Sequence, residues 1–226
     1  MKARTESLIG AGAENMWVMT FHSFCARILR IEIEAMGRDR NFVIYDDADQ
    51  MSVIGDVLKQ MGISDKSMPR RDIKEQISDA KNKSDDPFEY LSQDGMDDTI
   101  LKIYRLYQAR LAAANAMDFD DLLILTLELF RSHPDILEHY RRRFRYILVD
   151  EYQDTNIPQY KLVRLLSEAH QNICVVGDDD QSIYGWRGAD IRNILGFERD
   201  FQGAKVIRLE QNYRSTNVIL DAANNV

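Results

Sequence analysis

The chain has 226 residues, with 29 Lys+Arg against 37 Asp+Glu, a formal net charge of −8, and 45% hydrophobic residues that include 10 Tyr, 9 Phe and 2 Trp. That length allows one large domain or two modest ones with real cores, and the apolar and aromatic content excludes a disordered chain. No apolar run reaches about 18 residues, and Met1-Lys2-Ala3-Arg4-Thr5-Glu6 opens no signal peptide, so the expectation is a cytoplasmic protein that neither spans nor crosses a membrane. Cys25 and Cys174 both sit in apolar segments and are expected to be buried free thiols rather than a disulfide or a metal site. A pI near 5.1 argues against coating nucleic acid by bulk charge.

Taken in chain order, Trp17-Val18-Met19 reads as a first short strand running into Thr20-Phe21-His22-Ser23. Thr20 or Ser23 caps a helix to about Met36, with Phe24, Ile28, Ile31 and Ala35 at helical spacing. Asp46-Asp47-Ala48-Asp49 opens a second helix to about Met61, Pro69 starts a third through Ile73 and Ile77, and Asp97 begins a fourth carrying Ile100, Ile103, Leu106, Tyr107 and Leu111. Nothing in 42–116 reads as a strand, and the acidic stretch 85–98 reads as a solvated loop and helix start. Helices are then expected over 119–130 and from Pro134, followed by the strand Tyr146-Ile147-Leu148-Val149 and a helix over 159–169. The strand Ile173-Cys174-Val175-Val176, a helix over 190–201 and the strand Val206-Ile207-Arg208-Leu209 complete the pattern. Strands separated by helices of this length predict an α/β fold with a parallel sheet, interrupted by an all-helical insertion.

The strand 146–149 ends in Asp150-Glu151, which places two carboxylates at the carboxyl edge of a sheet, where α/β folds bind ligands. By itself this pattern also suits a strand that simply becomes a turn. Tyr184, Trp186 and Arg187 put two aromatic faces and a guanidinium on a glycine-flanked loop, a composition suited to stacking on unpaired bases and equally to a packing plug. Thr20, Phe21 and His22 stand at a strand-to-helix junction where hydroxyl, ring and helix N–H groups could meet a phosphate backbone, or simply cap the helix. Asp120 and Asp121 fall in the first turn of a helix and suit its dipole; Arg141-Arg142-Arg143 suits a helix end or a phosphate contact.

Three blocks lie in order: Asp150-Glu151-Tyr152-Gln153-Asp154-Thr155-Asn156, the segment from Val175-Val176-Gly177-Asp178 through Gln181, Tyr184, Trp186 and Arg187 to Asp190, and Gln211-Asn212-Tyr213-Arg214-Ser215-Thr216. They resemble motifs II, III and IV of the UvrD/Rep/PcrA-type DNA helicases of superfamily 1. Thr20-Phe21-His22-Ser23-Phe24-Cys25-Ala26-Arg27 is similar to motif Ib of that family, and Met117-Asp118-Phe119-Asp120-Asp121 to the segment where its helical subdomain rejoins the core. The resemblance covers essentially the whole chain. It implies a RecA-like P-loop NTPase sheet with an inserted helical subdomain, divided as 1–41 and 117–214 (partial domain 1A), 42–116 (subdomain 1B) and 215–226 (start of the connection to a second RecA-like domain).

The resemblance also implies the roles. Asp150 would hold Mg²⁺, with Glu151 beside it positioning the attacking water, and Gln181 would contact the terminal phosphate of ATP. Tyr213 would stack on adenine and Arg214 would stabilise the transferring phosphoryl group. Thr20, Phe21, His22, Tyr184, Trp186 and Arg187 would contact DNA, with Trp186 the leading stacking residue. The implied activity is ATP-driven translocation on single-stranded DNA and unwinding at single-strand/duplex junctions, in DNA repair or replication. No Gly-x-x-x-x-Gly-Lys-[Ser/Thr] occurs in the chain, which reads as an internal section of a longer helicase, inactive alone, whose P-loop strand and segment precede it and whose 2A/2B domains follow it. The alternatives are the helicase portion of a recombination helicase–nuclease and a non-enzymatic DNA- or protein-docking module. A second-superfamily RNA helicase fits less well, because its acidic motif runs Asp-Glu-Ala-Asp.

Overall fold

The computed structural model describes residues 2–10, 15–93, 98–185, 188–209, 211–213 and 215–225. It is an α/β structure, mostly helical, with two small parallel sheets, and divides into two compact units, Met1–Ile194 and Leu195–Val226. Among the described residues no helix is long and apolar enough to cross a membrane.

The first unit opens with α1 (Lys2–Ile9) and α2 (Phe21–Glu32), which continues as a tight 3₁₀ turn, Ile33–Met36. Thr20 caps α2, its hydroxyl accepting from the Ser23 amide at 3.3 Å. The expected strand at 17–19 does not form: the segment has no ladder partner among the described residues. Trp17 is held instead by edge contacts to Phe24 and Phe144 at 5.7 and 5.0 Å and by the Arg27 guanidinium 3.9 Å above its ring.

A helical block follows, made of α3 (Asp47–Met61), α4 (Arg70–Lys83), α5 (Pro87–Leu91) and α6 (Asp98–Ala113). The expectation that 42–116 contains no strand needs correcting. β1 (Val43–Ile44) pairs in parallel with β2 (Ala116–Met117), so the chain enters and leaves the helices through two adjacent strand fragments. Such a pairing joins residues about 70 positions apart, and two-residue strands carry no periodicity. Ile54, Val57, Leu58, Ile73, Ile77, Ile100, Ile103, Tyr107 and Leu111 bury together as the core of this block.

The second core lies under α2, α7 (Phe119–Ser132), α8 (Pro134–Arg143) and α9 (Ile157–Ser167), and gathers Ile28, Leu29, Phe42, Leu122, Leu127, Phe130 and Leu162. The arginine run at the end of α8 is occupied within the molecule. Arg141 donates to the Leu165 carbonyl and pairs with Glu168, Arg142 pairs with Glu138, and Arg143 lies over Trp17. β3 (Ile147–Val149) and β4 (Ile173–Val175) pair in parallel, in the register Ile147↔Ile173. Leu148 and Cys174 are register partners on a face that no described element covers, so Cys174 is exposed, against expectation, while Cys25 is buried. Burial pushes the Cys25 thiol up to about 12, with a Thr126 hydrogen bond opposing it.

The expected helix over 190–201 is broken into α10 (Arg192–Leu195) and α11 (Phe197–Asp200), with Gly196, a poor helix former, at the junction. The second unit contains α11, stiffened by Phe197 stacked on Phe201 at 4.7 Å, and α12 (Asn217–Asn224). Its segment 206–209 has no regular secondary structure and no ladder partner among the described residues, so the strand expected there is absent.

Two polar ties bind the helical block to the second core. Lys81 is fully buried on α4, its ammonium 2.5 Å from Asp118 and 2.6 Å from Asp121, and Tyr107 donates to Asp118 at 2.9 Å. Burial alone would drive this ammonium toward neutrality; the two carboxylates outweigh burial and hold it charged. Asp118 and Asp121 also form the capping box of α7, so one ion cluster serves both the helix start and the junction. Asp85, expected in a solvated loop, is instead held by Arg131 on α7 and Lys161 on α9.

Two outcomes follow. Lys81→Met leaves two buried carboxylates facing each other without a cation, and should lower unfolding stability of the 226-residue chain by about 3–5 kcal/mol in urea titration; a loss under about 1 kcal/mol would contradict the charged cluster. An aromatic disulfide reagent should find one fast thiol, Cys174, in the native chain, and a second, Cys25, only on unfolding; two fast thiols would contradict the packing of α2.

Candidate active site

The site begins with a defect in the β3–β4 ladder. Ile147 donates to the Asn172 carbonyl at 3.0 Å, and Val176 donates to the Val149 carbonyl at 2.8 Å. Donors on a strand of a parallel ladder recur every second residue, so the next in register after Ile147 and Val149 is Glu151. The Val176 carbonyl is instead taken by the Tyr152 amide, at 2.9 Å, one residue late. One residue is therefore squeezed out as a β-bulge, and Glu151 absorbs the turn with φ +52°, a left-handed conformation that non-glycine residues rarely adopt. Asp150 and Glu151 are both exposed at this edge, and the Asp150 carboxylate accepts from the Glu151 amide at 3.1 Å.

The residues after the bulge pin the loop 177–188 at both ends. At its start, buried Gln153 donates to Glu151 at 2.8 Å and accepts from the Asp178 amide at 3.0 Å, and the side chain of Gln181 donates to Asp178 at 2.6 Å. At its end, Asn156 bridges Ala189, the Asp190 amide donates to the Thr155 carbonyl at 3.0 Å, and the Asn193 side chain donates to the same carbonyl at 2.9 Å. Asn82 on α4 accepts from Asn156 at 2.5 Å and donates to Asp120 at 3.2 Å, which brings the helical block to the same junction. Gly188 sits against it with φ +81°, and a Cβ there would fall 2.7 Å from the Asn82 Cβ, so both backbone and space require glycine.

A cleft of about 1130 Å³ runs beside this junction, lined by His22, Phe119, Asp120, Asp154, Asn156 and Tyr184 together with Asp47, Arg71, Lys74, Glu75, Ser78, Asp79 and Asn82 of the helical block. The His22 and Phe119 rings lie 4.7 Å apart. Burial holds the His22 imidazole below its usual pKa, partly opposed by the Asp120 charge. Burial, then the nearby Glu151 charge, holds the Asp154 carboxyl above the usual range.

Of the residues singled out in the sequence, Asp150, Glu151 and Gln181 are joined by this hydrogen-bonded chain, and His22 and Tyr184 share the cleft. Thr20 is engaged as the α2 cap, and Phe21 packs half-buried against the second core. Tyr213 belongs to the second unit and is 92% exposed. Trp186, Arg187 and Arg214 lie outside the described residues. Sequence reasoning passed over Phe119, a large apolar side chain left exposed at the first turn of α7, and Gln153, buried between two acidic residues. It also passed over Lys81 and Asn82. The one available signal for Lys81 was its place on the Ile73, Ile77, Ala80 stripe of α4, a buried position where a cation needs partners.

The oxygen donors at the bulge suit a hard divalent cation that keeps most of its water, since one or two exposed carboxylates are what such an ion needs from protein. Among the described residues no group of three potential metal-ligating side chains assembles.

A family model described as the UvrD/REP helicase N-terminal domain matches residues 1–202. Across 228 aligned residues the chain is 53% identical to the ATP-dependent DNA helicase PcrA of Bacillus subtilis, 51% to that of Staphylococcus epidermidis and 50% to that of Staphylococcus aureus. All of this chain is covered in each case, and 31% of the relative, so the chain spans about a third of the length of the curated relatives it matches. With most of its length matched by that model and all of it aligned to these relatives, the chain belongs to the UvrD/REP helicase family.

Proposed function

We propose that the chain is a section of an ATP-dependent DNA helicase that translocates on single-stranded DNA and opens duplex at single-strand/duplex junctions, in DNA repair or replication. The observation that carries this reading is the bulge that exposes Asp150 and Glu151 while tying Glu151 through Gln153 and Asp178 to Gln181. Two carboxylates with distinct surroundings and a neutral amide on an adjoining loop suit phosphoryl transfer to water, which demands positioning more than covalent chemistry. The relatives' printed name, ATP-dependent DNA helicase, supports the same reading.

In this function 1–41 and 117–214 form part of a RecA-like domain, 42–116 an inserted helical subdomain, and 215–226 the start of the connection to a second RecA-like domain. Asp150, with Glu151 beside it, holds Mg²⁺, which neutralises phosphate charge when bound. Glu151 orients and deprotonates the attacking water, and Gln181 senses the terminal phosphate by donating to an oxygen that departs on hydrolysis. The motif resemblance assigns Tyr213 to stacking on adenine and Arg214 to stabilising the transferring phosphoryl group. These 226 residues contain no Gly-x-x-x-x-Gly-Lys-[Ser/Thr] to cradle the phosphates, and on that ground we expect no ATP turnover from them alone.

The nucleic acid lies along the cleft that His22, Phe119 and Tyr184 line, with unpaired bases stacking on these rings; Thr20, Phe21, Trp186 and Arg187 are assigned to DNA contact on the motif resemblance. Base stacking contributes affinity that does not depend on the net charge of −8, and Arg71 and Lys74 of the cleft are the cations placed to meet the phosphate backbone. In the full-length protein, Glu151→Gln should leave ATP and single-strand binding in place while lowering DNA-stimulated hydrolysis by about a hundredfold or more. Hydrolysis near the wild-type rate would overturn the assignment.

A further inference from the structure

The geometry points to Gln153 as a positioning residue whose side-chain amide locks the Glu151 carboxylate to the loop that carries Gln181, so that the group facing the water and the group facing the phosphate move as one piece. This deepens the function proposed above and rests on it.

Gln153 is 1% exposed, and both ends of its amide are used. Its orientation is fixed by chemistry, because the Asp178 amide can only donate: Oε1 must face it, at 3.0 Å, which turns Nε2 toward Glu151 Oε2, at 2.8 Å. The chain continues through Asp178, whose carboxylate accepts from the Gln181 side chain at 2.6 Å and from the Asp180 amide at 3.1 Å. Space is reserved for this amide. A Cβ on Gly177 would stand 2.6 Å from Gln153 Oε1 and 2.7 Å from Ile194 Cδ1, so the residue before Asp178 must be glycine for the contact to exist.

The tie meets a specific need. Glu151 sits exposed on a bulge, where an untethered carboxylate samples several rotamers, and orienting water requires one of them. A hydrogen bond to an ionised acceptor is among the stronger ones available, and because the donor is a neutral amide it fixes the carboxylate without cancelling its charge. Lysine or arginine at this place would pair with Glu151 and blunt it as a base. Asparagine is one methylene short, glutamate offers the acceptor but sets a second negative charge against Glu151, and methionine keeps the volume but neither polar contact. Glutamine alone supplies an acceptor for one partner and a donor for the other at this length.

The test uses the full-length protein with Gln153→Met and Gln153→Glu, checked for folding by thermal unfolding. The glutamate variant keeps the acceptor for the Asp178 amide and so guards against the methionine variant failing to fold. Two quantities are read: steady-state DNA-stimulated hydrolysis, and the change in single-strand affinity on adding a non-hydrolysable ATP analogue. In both variants kcat should fall about tenfold or more while KM for ATP stays within about threefold, and the analogue-dependent change in single-strand affinity should shrink toward none. A folded variant with kcat within about threefold of wild type, or with the full analogue-dependent change, would overturn the role and leave Gln153 as packing. Glu151→Gln, run in parallel, separates the two levels. If it retains turnover, the functional reading falls; if it is inactive while the Gln153 variants behave as wild type, only this inference falls.

Discussion

The two hydrogen bonds made by Val176, one to Val149 and one from Tyr152, fix most of what matters at the candidate site. Between them the strand holds one residue more than a regular ladder accommodates, and that surplus turns Asp150 and Glu151 outward. A left-handed, non-glycine backbone at Glu151 costs on the order of 1–3 kcal/mol and persists only where its surroundings over-determine it. Here the surroundings are identifiable: the β3–β4 ladder before it, the Tyr152–Val176 hydrogen bond and 3₁₀ turn after it, the Asp150 carboxylate on the Glu151 amide, and the Gln153 amide on the Glu151 carboxylate. The same seven residues, 150–156, then reach forward to clamp the start and end of the loop 177–188. Strand, bulge and loop thus form one piece.

That piece would have no fixed relation to the helical block without the polar junction around α4. Lys81 is buried with Asp118 and Asp121, and one turn along the helix Ser78 and Asn82 meet Asp120 and Asn156. A buried ion cluster of this kind adds little net stability over an apolar equivalent, but it tolerates only one arrangement, because removing any partner leaves a buried charge alone. The aromatic wall formed by His22, Phe119 and Tyr184 depends on it, since Phe119 begins the helix that Asp118 caps. Burial pushes the Asp121 carboxyl up to about 6, with the Asp118 charge adding to it.

What the sequence made legible was local. Asp46 and Asp118 open their helices with capping boxes, Thr20 and Pro69 stand at helix starts, and the apolar stripes of α3, α4 and α6 became one core. Motif order also singled out Asp150, Glu151 and Gln181, which one chain of hydrogen bonds joins. What stayed hidden was pairing over long sequence distance. The β1–β2 contact, the partnerless backbone at 17–19 and 206–209, and the ionic partners of Lys81 and Asp85 depend on neighbours that no local pattern names. Cys174 shows the same limit from the other side: an apolar strand residue is buried only when something covers its face. The bulge was invisible for a subtler reason, because a one-residue slip in a ladder leaves the composition of the strand unchanged.

That slip sets the position of both carboxylates, and backbone amide hydrogen exchange in the native 226-residue chain reads it directly. The Tyr152 amide, which closes the ladder on Val176, should exchange slowly alongside that of Val176, while the Glu151 amide, bonded only to the exposed Asp150 carboxylate, should exchange orders of magnitude faster. The opposite pattern, with Glu151 protected and Tyr152 fast, is that of a regular parallel ladder. It would place both carboxylates differently and contradict the site described.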